Sequence, residues 1–338
     1  MKNIFNYAKK EFSQDAFWLC FFDSYKENDV GDFAKKFLLK MIGETIDSKI
    51  TDLKTSFQCK EFGNVDVLIE CKIDDKYVVI AIEDKVDTEQ HSNQLEREAK
   101  AISKKYDKYY LIYCKTRYVS MRERRDIERI NRNLNNIKNK WRIFDYNDIK
   151  QIFDEFYKIG TNYLIDMYYS YICEISSLYN IEDNERLEWI QLDKKWWVLF
   201  DEACANKVDL GSGKYISYYY KHLKVGDRED FFSVELRSKC FNLQEKTFKF
   251  NFGRYVMPNR YMTSENMEIL KKCCLLVQTQ KPYLNIKLSQ REDSVKEVAS
   301  MTIGEIETAN DFKNAVKQVI DICSEIYSQF EKYKKINV

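Results

Sequence analysis

The stretch from Gly63 to Ile102, GNVDVLIECKIDDKYVVIAIEDKVDTEQHSNQLEREAKAI, most restricts what this chain can fold into. Val65 to Cys71 is largely β-branched and apolar, with Asp66 set near its start. Lys72 to Lys76 is polar and short, as a hairpin connection should be. Tyr77 to Ile82 is a second apolar run, which ends in Glu83-Asp84-Lys85. A polar turn through Asp87 and Thr88 leads into a segment of helical character that carries Gln94-Leu95. The pattern predicts strand, hairpin, strand, turn and helix.

The chemistry follows from where the charges fall. Side chains alternate across a strand, so Glu83 and Lys85 share one face and Asp84 points to the other. Charges at the end of an apolar strand are costly to bury unless they find partners. Asp66, on the neighbouring strand, can supply a second carboxylate. Two carboxylates beside a lysine suit Mg²⁺, which prefers oxygen ligands and keeps positions for water and phosphate. The lysine can orient the attacking water and offset charge that develops on the phosphate. The competing reading is a surface hairpin that ends in an ordinary Glu–Lys pair, worth about 0–1 kcal/mol.

Asp66, then Glu83-x-Lys85, then Gln94 in the next helix resembles the PD-(D/E)xK superfamily of restriction-like nucleases. Ile80-Ala81-Ile82-Glu83-Asp84-Lys85-Val86 followed by Gln94-Leu95 is most similar to a prokaryotic branch with an "IENK…QL" signature. The resemblance implies a restriction-endonuclease-like α/β (α+β) fold, a mixed sheet flanked by helices. It implies a divalent cation, Mg²⁺ or Mn²⁺, held by Asp66, Glu83 and the main-chain carbonyl of Asp84, with Lys85 and Gln94 in the catalytic set. In this branch a glutamate of the first helix can add a further ligand, which points to Glu11, with Asp15 behind it. Either residue can equally favour a helix N-terminus electrostatically. Val65 stands where the motif's proline would be. The helix reads Gln94-Leu95-Glu96-Arg97-Glu98, without the tyrosine that follows the glutamine in exonuclease relatives.

Composition sets outer bounds. With 338 residues, 44% hydrophobic, the chain has ample material for about two domains. We draw them as a nuclease-like core over 1–153 and a C-terminal α+β accessory domain over 154–338. Charged residues nearly cancel to net +1, so nucleic-acid contact must come from local patches. Ten scattered cysteines without a CxxC pair, and only two histidines, argue against a zinc site and a disulfide framework. They favour reduced thiols in a cytoplasm. The polar, lysine-rich opening does not read as a signal peptide, and no apolar run reaches membrane-spanning length, so no membrane partner is expected.

Along the rest of the first part, Ser13 before Ala16-Phe17-Trp18-Leu19 suggests a helix cap and a buried helix. Asp32 to Ile46 reads as an amphipathic helix, while Ile50 to Cys59, Tyr109 to Cys114 and Trp141 to Phe144 read as strands. Lys115 to Lys140 is distinctly basic, and Arg122, Arg124 and Arg125 are candidates for phosphate-backbone contacts. The competing reading is a solvated helix laced with ion pairs. His91 reads as a surface histidine, and Gly211-Ser212-Gly213-Lys214 as a turn that lacks the phosphate-loop spacing.

In the second part, Tyr163 to Tyr179, Asn184 to Asn206 and Ala309 to Tyr333 read as helices. Phe231 to Leu236, Thr247 to Phe252 and Tyr283 to Leu288 read as antiparallel strands. Its aromatics, among them Tyr218-Tyr219-Tyr220, read as core or a partner surface, or as a platform for bases. The functional expectation is a metal-dependent nuclease, foremost a DNA endonuclease of restriction or phage defence, with nucleic acid as its partner. The alternatives are a nucleic-acid- or ligand-binding or sensing module without turnover, and a subunit active only in a complex. A homo-oligomer or a partner protein is compatible with any of these.

Overall fold

The computed structural model describes residues 5, 11–27, 29–86, 93–186, 195–203, 208–209, 215–225, 228–237, 241–242, 247–255, 264–288 and 297–336. The chain divides into two compact units, 1–180 and 181–338. In the first unit, helices α1 (Glu11–Asp23) and α2 (Gly31–Ile42) precede a hairpin-rich sheet. Strands β1 (Ile50–Cys59), β2 (Val65–Ile73) and β3 (Lys76–Lys85) are successive antiparallel neighbours. Helix α3 (Gln94–Lys105) then leads to β4 (Tyr109–Lys115), and α4 (Met121–Asn133) leads to β5 (Trp141–Asp145). Both of these strands pair in parallel, giving the mixed order β1-β2-β3-β4-β5. Helices α5 (Tyr146–Phe156) and α6 (Tyr163–Tyr179) complete the unit.

Strand β3 lies at the centre and is covered on both faces, which is why its sequence is apolar at consecutive positions rather than alternating. Val78, Val79, Ile80, Ala81 and Ile82 are each at most 1% exposed. On one face Val79 and Ala81 pack with Leu95, Ala99 and Ile102 of α3, Leu111 and Tyr113 of β4, and Ile127 and Ile130 of α4. The other side of the unit is built around rings. Trp18 and Phe21 of α1 pack against Phe37 of α2, and Phe37 against Phe144 of β5 and Phe153 of α5. Each fully buried aliphatic or aromatic side chain contributes about 1.5–3 kcal/mol, enough collectively to offset a few buried charges.

Two local expectations change. Ser13 lies inside α1, which already includes Glu11, so it does not cap the helix. The boundary drawn after residue 153 falls short of the compact unit, because α6 packs within it. The Tyr168 ring stacks on Phe17 at 3.8 Å between centroids, and Tyr169 on Phe153 at 5.2 Å.

In the second unit, the described strands form an antiparallel sheet. They are β6 (Val208–Asp209), β7 (Tyr215–Val225), β8 (Arg228–Arg237), β9 (Phe241–Asn242), β10 (Thr247–Tyr255), β11 (Ile286–Leu288) and β12 (Glu297–Ile303). The order is β11-β12-β10-β8-β7-β6, with β9 added on β10. The described helices are α7 (Lys195–Ala203), α8 (Ser264–Gln280) and α9 (Ala309–Ile336). Leu270, Cys274 and Val277 of α8 meet Phe312, Val316 and Val319 of α9 and Ala299 and Met301 of β12 in one core. Helix α8 and strands β7 and β12 were not anticipated from the sequence. Among the described residues no helix is long and apolar enough to cross a membrane.

The β2–β3 connection yields a prediction. Asp74 and Asp75 have φ of +48° and +62°, the backbone of a two-residue type I′ turn, which matches the twist of the paired strands. Asp74 is tied down, since its carboxylate accepts the Lys49 N–H at 2.9 Å. Asp75 stands where such turns favour glycine. Asp75→Gly should therefore stabilise the protein by about 0.5–1 kcal/mol, relief of left-handed strain outweighing the added freedom of the unfolded chain. Urea denaturation of the full chain measures it. A lowered midpoint would mean that the Asp75 side chain supports the turn.

Candidate active site

The packed face of β3 changes character along its length. The side-chain row that runs Val79, Ala81 continues as Glu83 and Lys85, and all of these are buried. The Lys85 ammonium contacts Glu83 Oε1 and lies 3.5 Å from Asp66 Oδ2 on β2. Asp66 Oδ2 also accepts the Asp84 backbone N–H at 3.0 Å. From α3, the Gln94 amide donates to Glu83 Oε1 at 2.8 Å. One oxygen of Glu83 is thus held by both Lys85 and Gln94, and its buried Oε2 has no hydrogen-bond partner. The structure brings Asp66, Glu83, Lys85 and Gln94 together, with Asp84 adjacent through its main chain.

Asp84 turns to the opposite face, as strand alternation requires. Its Oδ1 accepts from the Gln14 amide of α1 at 2.6 Å, and Gln14 Oε1 accepts from the Thr116 hydroxyl at 2.8 Å. The Thr116 N–H in turn donates to the Lys85 carbonyl at 3.3 Å. This chain of bonds joins α1, the end of β3 and the end of β4. Asp15, one residue beyond Gln14, is buried and adds its charge to that of Asp84. The Asp84 carboxyl is held well above its ordinary pKa by burial first, then by Asp15 and Asp66.

Three further residues belong to the polar end of this face and were not singled out by the sequence. Glu98, one helical turn beyond Gln94, is fully buried, and neither of its oxygens has a hydrogen-bond partner. Lys115, register partner of Lys85 in the parallel β3–β4 ladder, binds Glu123 of α4 through both oxygens at 2.7 and 2.6 Å. Tyr113 also donates to Glu123, whose backbone N–H is capped by Ser120 Oγ at 3.1 Å. The spacing of Gln94 and Glu98 on one helix face was a readable signal for Glu98. The register between β3 and β4 was not.

The electrostatics follow from burial. Glu83 is pushed up from its ordinary value of 4.5 by desolvation, then by the charges of Glu98 and Asp66, with Lys85 opposing. Glu98 is pushed up to about 8 by burial and Asp66, against the nearby Gln94 amide and Lys85. Among the described residues no three His, Cys, Asp or Glu side chains already converge as a ligand cage; the Lys85 ammonium lies against both Glu83 and Asp66. The donor set nevertheless fits a hard divalent cation. Asp66 and Glu83 offer carboxylate oxygens, and the buried Glu83 Oε2 is an acceptor in need of a partner.

Other expected residues are placed differently. Arg124 forms an ion pair with Asp145 at 2.6 Å, and Asp145 is itself the N-cap of α5. Arg125 donates from Nε to the Met121 carbonyl at 3.2 Å. The side chains of Glu11 and Arg122 lie outside the described residues, although their backbones lie in the first turns of α1 and α4. His91, Gly211 to Lys214 and the side chains of Tyr218, Tyr219 and Tyr220 also lie outside them.

Comparison with known proteins adds one finding. The model of a family described as the PD-(D/E)XK nuclease superfamily matches residues 2–170, half of the chain. No curated protein and no solved structure matches.

Two predictions rest on this geometry. Removing one partner of a buried pair strands the other charge, so Glu123→Gln should cost about 3 kcal/mol or more of stability. Adding Lys115→Met should recover part of that loss in a double-mutant cycle by urea denaturation; additive losses would mean that the pair is not coupled. The second concerns pH. A carboxyl raised from 4.5 to about 8 in the folded state contributes stability that is fully present below pH 4.5 and lost as pH rises through about 8. In excess chelator the urea midpoint should fall across that window, and Glu98→Gln should flatten the fall. An unchanged slope would place the Glu98 titration elsewhere.

Proposed function

We propose that this chain, which belongs to the PD-(D/E)XK nuclease superfamily, hydrolyses phosphodiester bonds of DNA internally, with Mg²⁺ or Mn²⁺ as cofactor. The observation that carries the reading is the meeting of Asp66, Glu83 and Lys85 on one buried face at the end of β3. Asp66, Glu83 Oε2 and the main-chain carbonyl of Asp84 would hold the cation. When bound, it would lower the pKa of a water and polarise the phosphoryl oxygen. Gln94 fixes the Glu83 carboxylate from one side, so that its second oxygen keeps one orientation. Lys85, released from its pairs with the carboxylates, orients the attacking water and offsets charge that develops on the phosphate.

Internal cutting is favoured because Glu98 follows Gln94 on the helix, without the tyrosine of exonuclease relatives. A role in restriction or phage defence extends the reading by analogy with what many relatives do. The second unit would then set target or activation. Helix α4 remains the candidate for backbone contacts, with the Arg124–Asp145 pair opening on the nucleic acid or staying as a brace.

The test uses purified full-length chain with supercoiled plasmid, single-stranded DNA and RNA, in Mg²⁺, Mn²⁺, Ca²⁺ or chelator. Asp66→Asn, Glu83→Gln and Lys85→Ala should each lower plasmid cleavage by about 10²-fold or more. Circular dichroism checks their folds. Asp84→Asn should be mild, because only its main chain is assigned a role. Near-normal activity in any two of the first three, or cutting in excess chelator, would refute the assignment.

A further inference from the structure

The charges on this face of the sheet do not balance among themselves. Four buried or half-buried carboxylates, Asp66, Glu83, Glu98 and Glu123, share it with two buried lysines. Lys115 is committed to Glu123 through both oxygens. Lys85 is committed to Glu83 and Asp66. Glu98 is left without a lysine: it is 0% exposed, and its oxygens make no hydrogen bond at normal geometry, the Gln94 amide being its polar neighbour. A carboxyl in that condition is costly to ionise until a counter-charge reaches it. The fold does not require it, since Leu95, Ala99 and Ile102 on the same helix pack as ordinary core.

Position makes the excess specific. Glu98 follows Gln94 by one helical turn, so both face the end of β3, and Gln94 is bonded to Glu83. The charge of Glu98 acts directly on Glu83, and those of Asp66 and Lys85 act on Glu98. The helix is also seated closely on the corner that precedes β2. Gly63, with φ of +89°, would bring a side-chain carbon to 3.3 Å from Glu98 Cγ. Glycine suits both that backbone and that approach. Asp66 follows three residues later on β2, and its charge reaches Glu98.

We propose that Glu98 is a third carboxylate ligand for the divalent cation that Asp66 and Glu83 would hold, an inference that rests on the cation-dependent reading above. With the cation bound, Glu98 gains the counter-charge that no lysine gives it. Lys85, no longer needed to neutralise Glu83, is freed to face substrate. The cation itself offsets the charges of Asp66 and Glu83 when Lys85 leaves them, and Glu98 adds a further oxygen ligand that tightens its hold.

The experiment measures binding of Mn²⁺ alone to the full chain at fixed pH, by the electron paramagnetic resonance signal of the free ion. Wild type, Glu98→Gln and Glu83→Gln are compared, with circular dichroism as a check on fold. Glutamine has the size and hydrogen-bonding reach of a protonated glutamic acid, so a purely packing role would survive the change. Wild type should bind, Glu83→Gln should lose binding, and Glu98→Gln should bind roughly tenfold more weakly or worse. Glu98→Leu, which suits the apolar helix face, serves if the glutamine variant misfolds, and should show the same loss. Equal affinity in wild type and the Glu98 variants, with Glu83→Gln impaired, overturns this inference and leaves the nuclease reading standing. Absence of Mn²⁺ binding by folded wild type overturns both.

Discussion

The Lys85–Glu83 contact is the interaction on which the organisation of the first unit turns. A central strand buried on both faces is a poor place for charge, and β3 ends in three consecutive ionisable residues that are all buried. Such a pair adds little net stability over an apolar replacement, because desolvation cancels most of the attraction. Its presence therefore imposes requirements on its neighbours. β2 must bring Asp66 beside it, α3 must bring Gln94 over it, and β4 must supply Lys115 for a second buried acid. The apolar core lower on the same face supplies the stability that makes this arrangement affordable.

The opposite face sets the direction of those groups. Asp84 is anchored through Gln14 to Thr116, so the peptide between Glu83 and Lys85 is held from behind. Gln14 lies between buried positions of α1, whose Trp18, Phe21 and Phe22 are locked into the ring cluster. Rigid packing far from the charges thus fixes a backbone at the charges, which is how a site gains precision from its scaffold. The arginines of α4 fit the same pattern. Arg124 reaches the cap of α5, and so ties two helices as well as carrying charge.

Much of this was legible in the sequence where the signal is local. The bounds of β1, read as Ile50 to Cys59, and of α6, read as Tyr163 to Tyr179, agree with the structure. The faces of Glu83, Lys85 and Asp84 followed from alternation alone. Ser13 misled, because a helix that begins two residues earlier turns a capping residue into an interior one. Helix α8 went unread although Ile269, Leu270, Cys273, Cys274 and Val277 recur at helical spacing; adjacent cysteines obscured an apolar stripe.

By itself the sequence determined the strand pair, the side on which each charge stands and the class of chemistry those charges suit. These depend on periods of two and 3.6 residues, and so on neighbours a few positions away. Tertiary structure alone decided which lysine neutralises which carboxylate. Lys85 meets Lys115 across a parallel ladder 30 residues apart in sequence, and Glu123 comes back from the following helix to bind Lys115. Gln14 reaches Asp84 from 70 residues away. No periodicity encodes such register, because parallel strands are aligned by the packing of the helices between them. That packing is also what buries Glu98 beside Gln94.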